Sequence, residues 1–137
     1  MKDGWRWPNF SPEEVLSPDG ITQLGQRNIM LIAPSLLDAL EEFRVIVDAP
    51  LYINFDKLKY RGYRSPFENY KVVKGETYSF HMQGLAVDVS SPIGVDKLHE
   101  LALSFDKWQG VGYYPTRGFC HLDMRPSLNG NRTTWKL

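Results

Sequence analysis

Gly110-Val-Gly-Tyr-Tyr-Pro-Thr-Arg-Gly-Phe-Cys-His-Leu-Asp123 is the stretch that decides the fold. Val111, Tyr113 and Tyr114 before the Pro115-Thr116 turn, and Phe119 to Leu122 after it, are strand-forming residues around turn-forming ones. The segment therefore reads as two paired strands, 110–114 and 118–123. Side chains alternate along a strand, so His121 and Asp123 share one face while Cys120 and Leu122 take the other. An imidazole and a carboxylate are thereby set side by side.

Working upstream, residues 95–105 carry Leu98, Leu101, Ala102 and Phe105 at helical spacing. Residues 34–47 do the same with Leu36, Leu37, Leu40, Phe43 and Ile46, and place Asp38, Glu41 and Glu42 opposite. Ala49-Pro50 stops that helix, and Leu51–Asn54 reads as a strand. Ser11-Pro12-Glu13-Glu14 opens a short helix, with a capping serine, proline in the first turn and acids at the positive end of the dipole. Residues 84–90 read as another strand. Residues 55–80 look like a long irregular excursion, and its length points to function. Helices first and a sheet later predict an α+β fold, with a mainly antiparallel sheet and helices on one face. At 137 residues the chain fits a single domain, 1–137.

Composition excludes several classes of function. Sixteen basic residues balance sixteen acidic ones, so nothing in the total draws the chain to nucleic acid or an anionic membrane. No apolar run approaches the roughly 20 residues of a membrane helix, so no membrane insertion is expected. Met1–Phe10 lacks the apolar run of a secretory signal. The expectation is a soluble, monomeric domain, exported through a removed segment, a lysis pore or a larger particle. Cys120 is the one cysteine, so no internal disulfide can form.

The three histidines differ in their company. His99 lies on the solvated side of the second helix and reads as a surface residue. His81 opens His-Met-Gln-Gly-Leu-Ala-Val-Asp88, in which Gly84 lets the backbone turn and Asp88 stands among apolar neighbours. A buried aspartate needs a partner, and a cation or a hydrogen-bond cluster would each serve. His81, Asp88 and His121 with water in a fourth position would make a catalytic zinc site. Their nearest ring nitrogens should then lie within about 5 Å. Cys120 is out of phase with His121 and reads as a core thiol, which argues against the rival Cys-His-Asp nucleophile.

Four motifs in order carry a family resemblance. They are Arg61-Gly-Tyr-Arg64, Ser79-Phe-His-Met-Gln-Gly-Leu-Ala-Val-Asp88, Gln109-Gly-Val-Gly-Tyr-Tyr114 and His121-Leu-Asp123. Spanning about residues 35–126, the set resembles the zinc D-Ala-D-Ala carboxypeptidases and L-Ala-D-Glu endolysin-like peptidases, with their hedgehog-like zinc peptidase fold. The resemblance implies Zn2+ on His81, Asp88 and His121, and Arg64 holding a substrate carbonyl or carboxylate. Without it Arg64 reads as a surface arginine in a basic loop. Ser79 either bonds near the metal shell or closes a loop. The implied substrate is a peptidoglycan stem or cross-link peptide, cut by a carboxypeptidase or an endopeptidase at the bacterial cell wall. The short, signal-free chain suits a phage lysis or tail-associated enzyme.

Two positions depart from the family pattern. Arg61 stands where the family has serine. Gly118 stands where relatives often carry an acidic base, three residues before the last histidine. Asp123 then has two readings, general base or orienting partner of the His121 ring; Glu76 is a poorer candidate base. Tyr63, Tyr113 and Tyr114 could line the groove or the core. A non-catalytic metal-containing or wall-binding module is the alternative function.

Overall fold

The computed structural model describes residues 4–27, 31–56, 59–75, 79–127 and 129–137. Helices α1 (Pro12–Val15), α2 (Pro18–Arg27) and α3 (Pro34–Val47) come first. A π-helical turn at Glu68–Val72 and strand β1 (Ala86–Val89) follow. Helix α4 (Val95–Ser104) then leads into β2 (Gly110–Tyr114), β3 (Phe119–Asp123) and β4 (Thr133–Lys136). The fold is α+β, as expected.

Helix α3 keeps the predicted bounds, because its stripe of Leu36, Leu37, Leu40 and Phe43 is fully buried. Each such side chain contributes about 1.5–3 kcal/mol by leaving water, more than intrinsic propensity supplies. The last member of the stripe is Val47, 6% exposed, rather than Ile46, which is 45% exposed. Residue 47 continues the 36-40-43 track and residue 46 falls a helical step to its side. Asp48 ends the helix in the left-handed conformation, its N–H donating to the Arg44 carbonyl. Phe105 and Trp108 follow α4; Phe105 stacks on Phe43 and Trp108 meets it edge to face, which joins the two helices.

The sheet order is β1-β3-β2-β4. Strand β3 pairs antiparallel with both β1 and β2, but β4 joins β2 in parallel, so the sheet is mixed. The expectation of a mainly antiparallel sheet missed this strand. Leu51–Asn54, expected as a strand, makes only a bridge between Tyr52 and Ser90. The chain turns directly after it, with Phe55 N donating to the Ile53 carbonyl. The strand expected over 84–90 is shorter, because Gly84 holds a positive φ of 71° outside it.

One face of the sheet is core. Val87, Val89, Val111, Cys120 and Leu122 are buried there, with α4 laid against β2 and β3. The opposite face carries two rows of aligned residues. One runs Asp88, His121, Gly112, Trp135 and the other Ala86, Asp123, Gly110, Thr133. Asp88, His121 and Trp135 of the first row line a cleft of about 660 Å³, rimmed in part by residues of the 60–75 segment.

Candidate metal centre

Pairing of β1 with β3 sets Asp88 directly opposite His121. His81 arrives from the turn before β1, and Arg61–Arg64 fastens it. The His81 Nδ1–H donates to the Gly62 carbonyl at 3.0 Å, since a carbonyl can only accept. That fixes the tautomer and turns Nε2 toward Asp88 Oδ1, 3.3 Å away. On the other side, His121 Nδ1 lies 3.1 Å from the same oxygen. One donor atom from each of the three residues lies within 4.8 Å of the others. The sequence limit of about 5 Å between the rings is met.

These distances suit a small cation. Ligands at about 2.0–2.1 Å and tetrahedral angles lie roughly 3.3 Å apart, close to the separations of the two ring nitrogens from Asp88 Oδ1. The donors, two imidazoles and a carboxylate, are those of a three-ligand zinc site with an open fourth position.

Protonation follows from the surroundings. Burial pushes the His81 pKa below the usual imidazole range, against the opposing pull of the Asp88 carboxylate. Burial would raise Asp88, but the charge and hydrogen bonds of the two histidines outweigh it and hold the carboxyl well below its usual range. For His121, burial opposes a charge, yet hydrogen bonds to Asp123 and Asp88 carry its pKa up to about 9.

Asp123 sits behind the cluster of His81, Asp88 and His121. It is fully buried, and its Oδ2 accepts the His121 Nε2–H at 2.7 Å, on the ring edge away from Asp88. Arg125 grips the same carboxylate through Nε at 2.9 Å and Nη2 at 2.7 Å. The Arg125 guanidinium is itself held between the Phe80 and Trp135 rings. Two glycines of β2 make room for this layer. A Cβ on Gly110 would lie 2.2–2.4 Å from the Asp123 carboxylate, and one on Gly112 would lie 2.6 Å from the Trp135 ring.

Arg64 lines the cleft with His81, Asp88 and His121. Its Nε donates to Asn69 Oδ1 at 2.9 Å and its Nη2 to Ser79 Oγ at 3.3 Å. Ser79 Oγ also accepts the His81 N–H, which links the arginine to the cluster. Tyr114 lines the cleft, Tyr63 is core, and Tyr113 stacks on a half-buried His99 on the far face. Cys120 is buried on that far face, where burial pushes its thiol up to about 12, too high for a thiolate nucleophile. Gly118 lies in the exposed turn and Glu76 lies outside the described residues.

Three participants escaped the sequence reading. Trp135 reaches the cleft from β4, and Asn129-Gly130 followed by Thr-Thr-Trp was the available strand signal. Arg125, two residues beyond Asp123, shares its side of the chain. Asp56, which holds Arg61, could be seen only by knowing the path of the loop.

No match was found among curated proteins or among solved structures. The model of the M15 peptidase family described as peptidoglycan L,D-endopeptidase MepK matches residues 19–129. That span contains His81, Asp88, His121, Asp123 and Arg64. The chain belongs to this M15 peptidase family.

Proposed function

We propose that residues 1–137 form one zinc peptidase domain that hydrolyses peptide bonds in bacterial peptidoglycan stem or cross-link peptides, acting as a monomer at the cell wall. The observation that carries this reading is the set of three donor atoms within 4.8 Å of one another beside a cleft, in a chain of a peptidase family. His81 Nε2, Asp88 Oδ1 and His121 Nδ1 would hold the ion. Zinc, when bound, polarises a scissile carbonyl and lowers the pKa of bound water to about 7.

The remaining work falls to the protein. Arg64, fixed by Asn69 and Ser79, holds a substrate carbonyl or carboxylate and steadies charge that develops on it. Of the two roles open to Asp123, its geometry supports orientation of the His121 ring. Its oxygens are committed to Arg125 and to the ring edge facing away from Asp88. Trp135 and Tyr114, joined by a hydrogen bond of 2.9 Å, wall one side of the groove in which the peptide lies. Among the described residues no helix is long and apolar enough to cross a membrane. Release by lysis or carriage on a phage particle would bring the chain to its substrate.

One observation favours a second reading, a wall-binding module that keeps the metal without turnover. Gly118 leaves no carboxylate at the position from which relatives often supply a base. Digestion of purified peptidoglycan, with and without a chelator, followed by muropeptide analysis separates the two. New muropeptides that vanish with chelator are expected, and their masses identify the bond cut. Binding to the wall without any product would overturn the peptidase reading in favour of the module.

A further inference from the structure

Asp88 has two carboxylate oxygens, and the structure treats them differently. Oδ1 faces both histidines, at 3.3 Å and 3.1 Å. Oδ2 points away from them and accepts from Arg61 Nη1 at 3.2 Å. The backbone reinforces the pairing, for the Asp88 N–H donates to the Arg61 carbonyl at 2.7 Å. Residue 61 thus holds residue 88 by main chain and side chain together.

Arg61 is in turn fixed from three sides. Its Nε donates to Asp56 Oδ2 at 2.7 Å, and its guanidinium lies over the Phe119 ring at 4.9 Å and the Phe55 ring at 5.3 Å. An arginine held by a carboxylate and two ring faces has lost most of its rotamer freedom before it meets Asp88. A serine at this position would carry no guanidinium to hold Asp56 and Asp88 together.

The geometry points to Arg61 as a positioning residue that occupies the outer oxygen of Asp88, so that the metal receives Asp88 through Oδ1 alone and keeps a position open for water. A carboxylate free at both oxygens can close onto a cation with both, and the second oxygen would then add a fifth ligand that crowds the position a catalytic metal leaves to water. Asp56 sets the aim of the guanidinium and is the second member of the device. This inference rests on the proposed metal site.

The test uses the full chain loaded with Zn2+ or Co2+, comparing wild type with Arg61→Ser, Arg61→Lys and Asp56→Asn. Zinc affinity comes from competition with a chromophoric chelator, and metal geometry from the visible absorption of the Co2+ form. Arg61→Ser should weaken zinc about 10–100-fold, the usual cost of losing an outer-shell partner. Its Co2+ bands should weaken as the ion passes from four ligands to five. Arg61→Lys keeps the charge without the planar fork and should fall between. Asp56→Asn should shift affinity and spectrum in the same direction by less, and it decides the matter if Arg61→Ser does not fold. A wild type that binds no metal would defeat the zinc reading itself. A wild type that binds tightly, with affinity and Co2+ spectrum unchanged in the folded variants, would defeat the role of Arg61 alone.

Discussion

Gly110→Ala adds one methyl group, and the structure says where it lands. The new Cβ would lie 2.2 Å and 2.3 Å from the Asp123 carboxylate oxygens and 2.4 Å from its carbon. Ordinary contact needs about 3.4 Å, so the carboxylate must retreat by about 1 Å. The 2.7 Å bond from His121 Nε2 cannot survive a shift of that size. Overpacking costs about 1–3 kcal/mol. Losing a hydrogen bond to a charged group costs about 1.5–3 kcal/mol. The alanine returns about 0.5–1 kcal/mol of backbone entropy. The metal-free protein should therefore lose about 2–5 kcal/mol in urea unfolding, with the slope unchanged. With the His121 ring no longer held, zinc affinity should fall about 10–100-fold, or about 1.4–2.7 kcal/mol. Gly25→Ala is the matched control. It lies in α2 with nothing within 4 Å of the added Cβ. It should gain about 0.5–1 kcal/mol and leave zinc binding alone. Wild-type zinc affinity in folded Gly110→Ala would refute the idea that Asp123 sets the metal site through His121.

Three further outcomes are expected. In the metal-free protein the His121 pKa is raised to about 9, so its bonds to Asp123 and Asp88 stabilise the fold fully below about 6.5, the unfolded value, and progressively less as pH climbs through 9. Zinc must displace that proton, so affinity measured by competition should rise about tenfold per pH unit between 6 and 8 and level off near 9; a flat profile would contradict it. Glu68 is buried and accepts from Ser17 Oγ, Ser65 N and Asp19 N, at 2.5, 2.7 and 3.1 Å. Glu68→Gln must turn an amide donor toward one of these donors, so the urea midpoint should report a loss of about 1–3 kcal/mol, and an unchanged midpoint would remove the residue from the account.

Residues whose signal repeats along the chain were legible before the fold was known. The α3 stripe repeats over four turns, and the period of two in β3 placed His121 with Asp123 and apart from Cys120. Period alone could not say which ring edge of His121 meets Asp123, because that depends on Asp88 arriving from β1. Helix α2 has the same serine-proline opening as α1, Ser17-Pro18, but Gly20 and Gly25 and a thin stripe of Ile21 and Leu24 hid it. Ser65-Pro66-Phe67-Glu68 is a third such opening, inside a segment expected to be irregular. Its glutamate reaches across to α2, a contact of |i−j| = 51 for Ser17, and such pairing leaves no local trace. Strand β4 was missed because its partner is β2, two strands back in the chain, rather than its neighbour β3.

The floor of the cleft, where the Trp135 ring lies over Gly112 of β2, has a consequence for altering specificity. Gly110 and Gly112 admit no side chain without evicting the Asp123 carboxylate or the Trp135 ring, so the floor tolerates almost no variation. The banks are different. Arg117, Val72 and Leu137 border the same cleft from three separate segments and are all exposed. Replacing them changes what a peptide meets on entry while leaving His81, Asp88 and His121 undisturbed. A library aimed at new cleavage preferences should therefore randomise the banks and leave the floor untouched, because there recognition can drift without dragging the metal chemistry along.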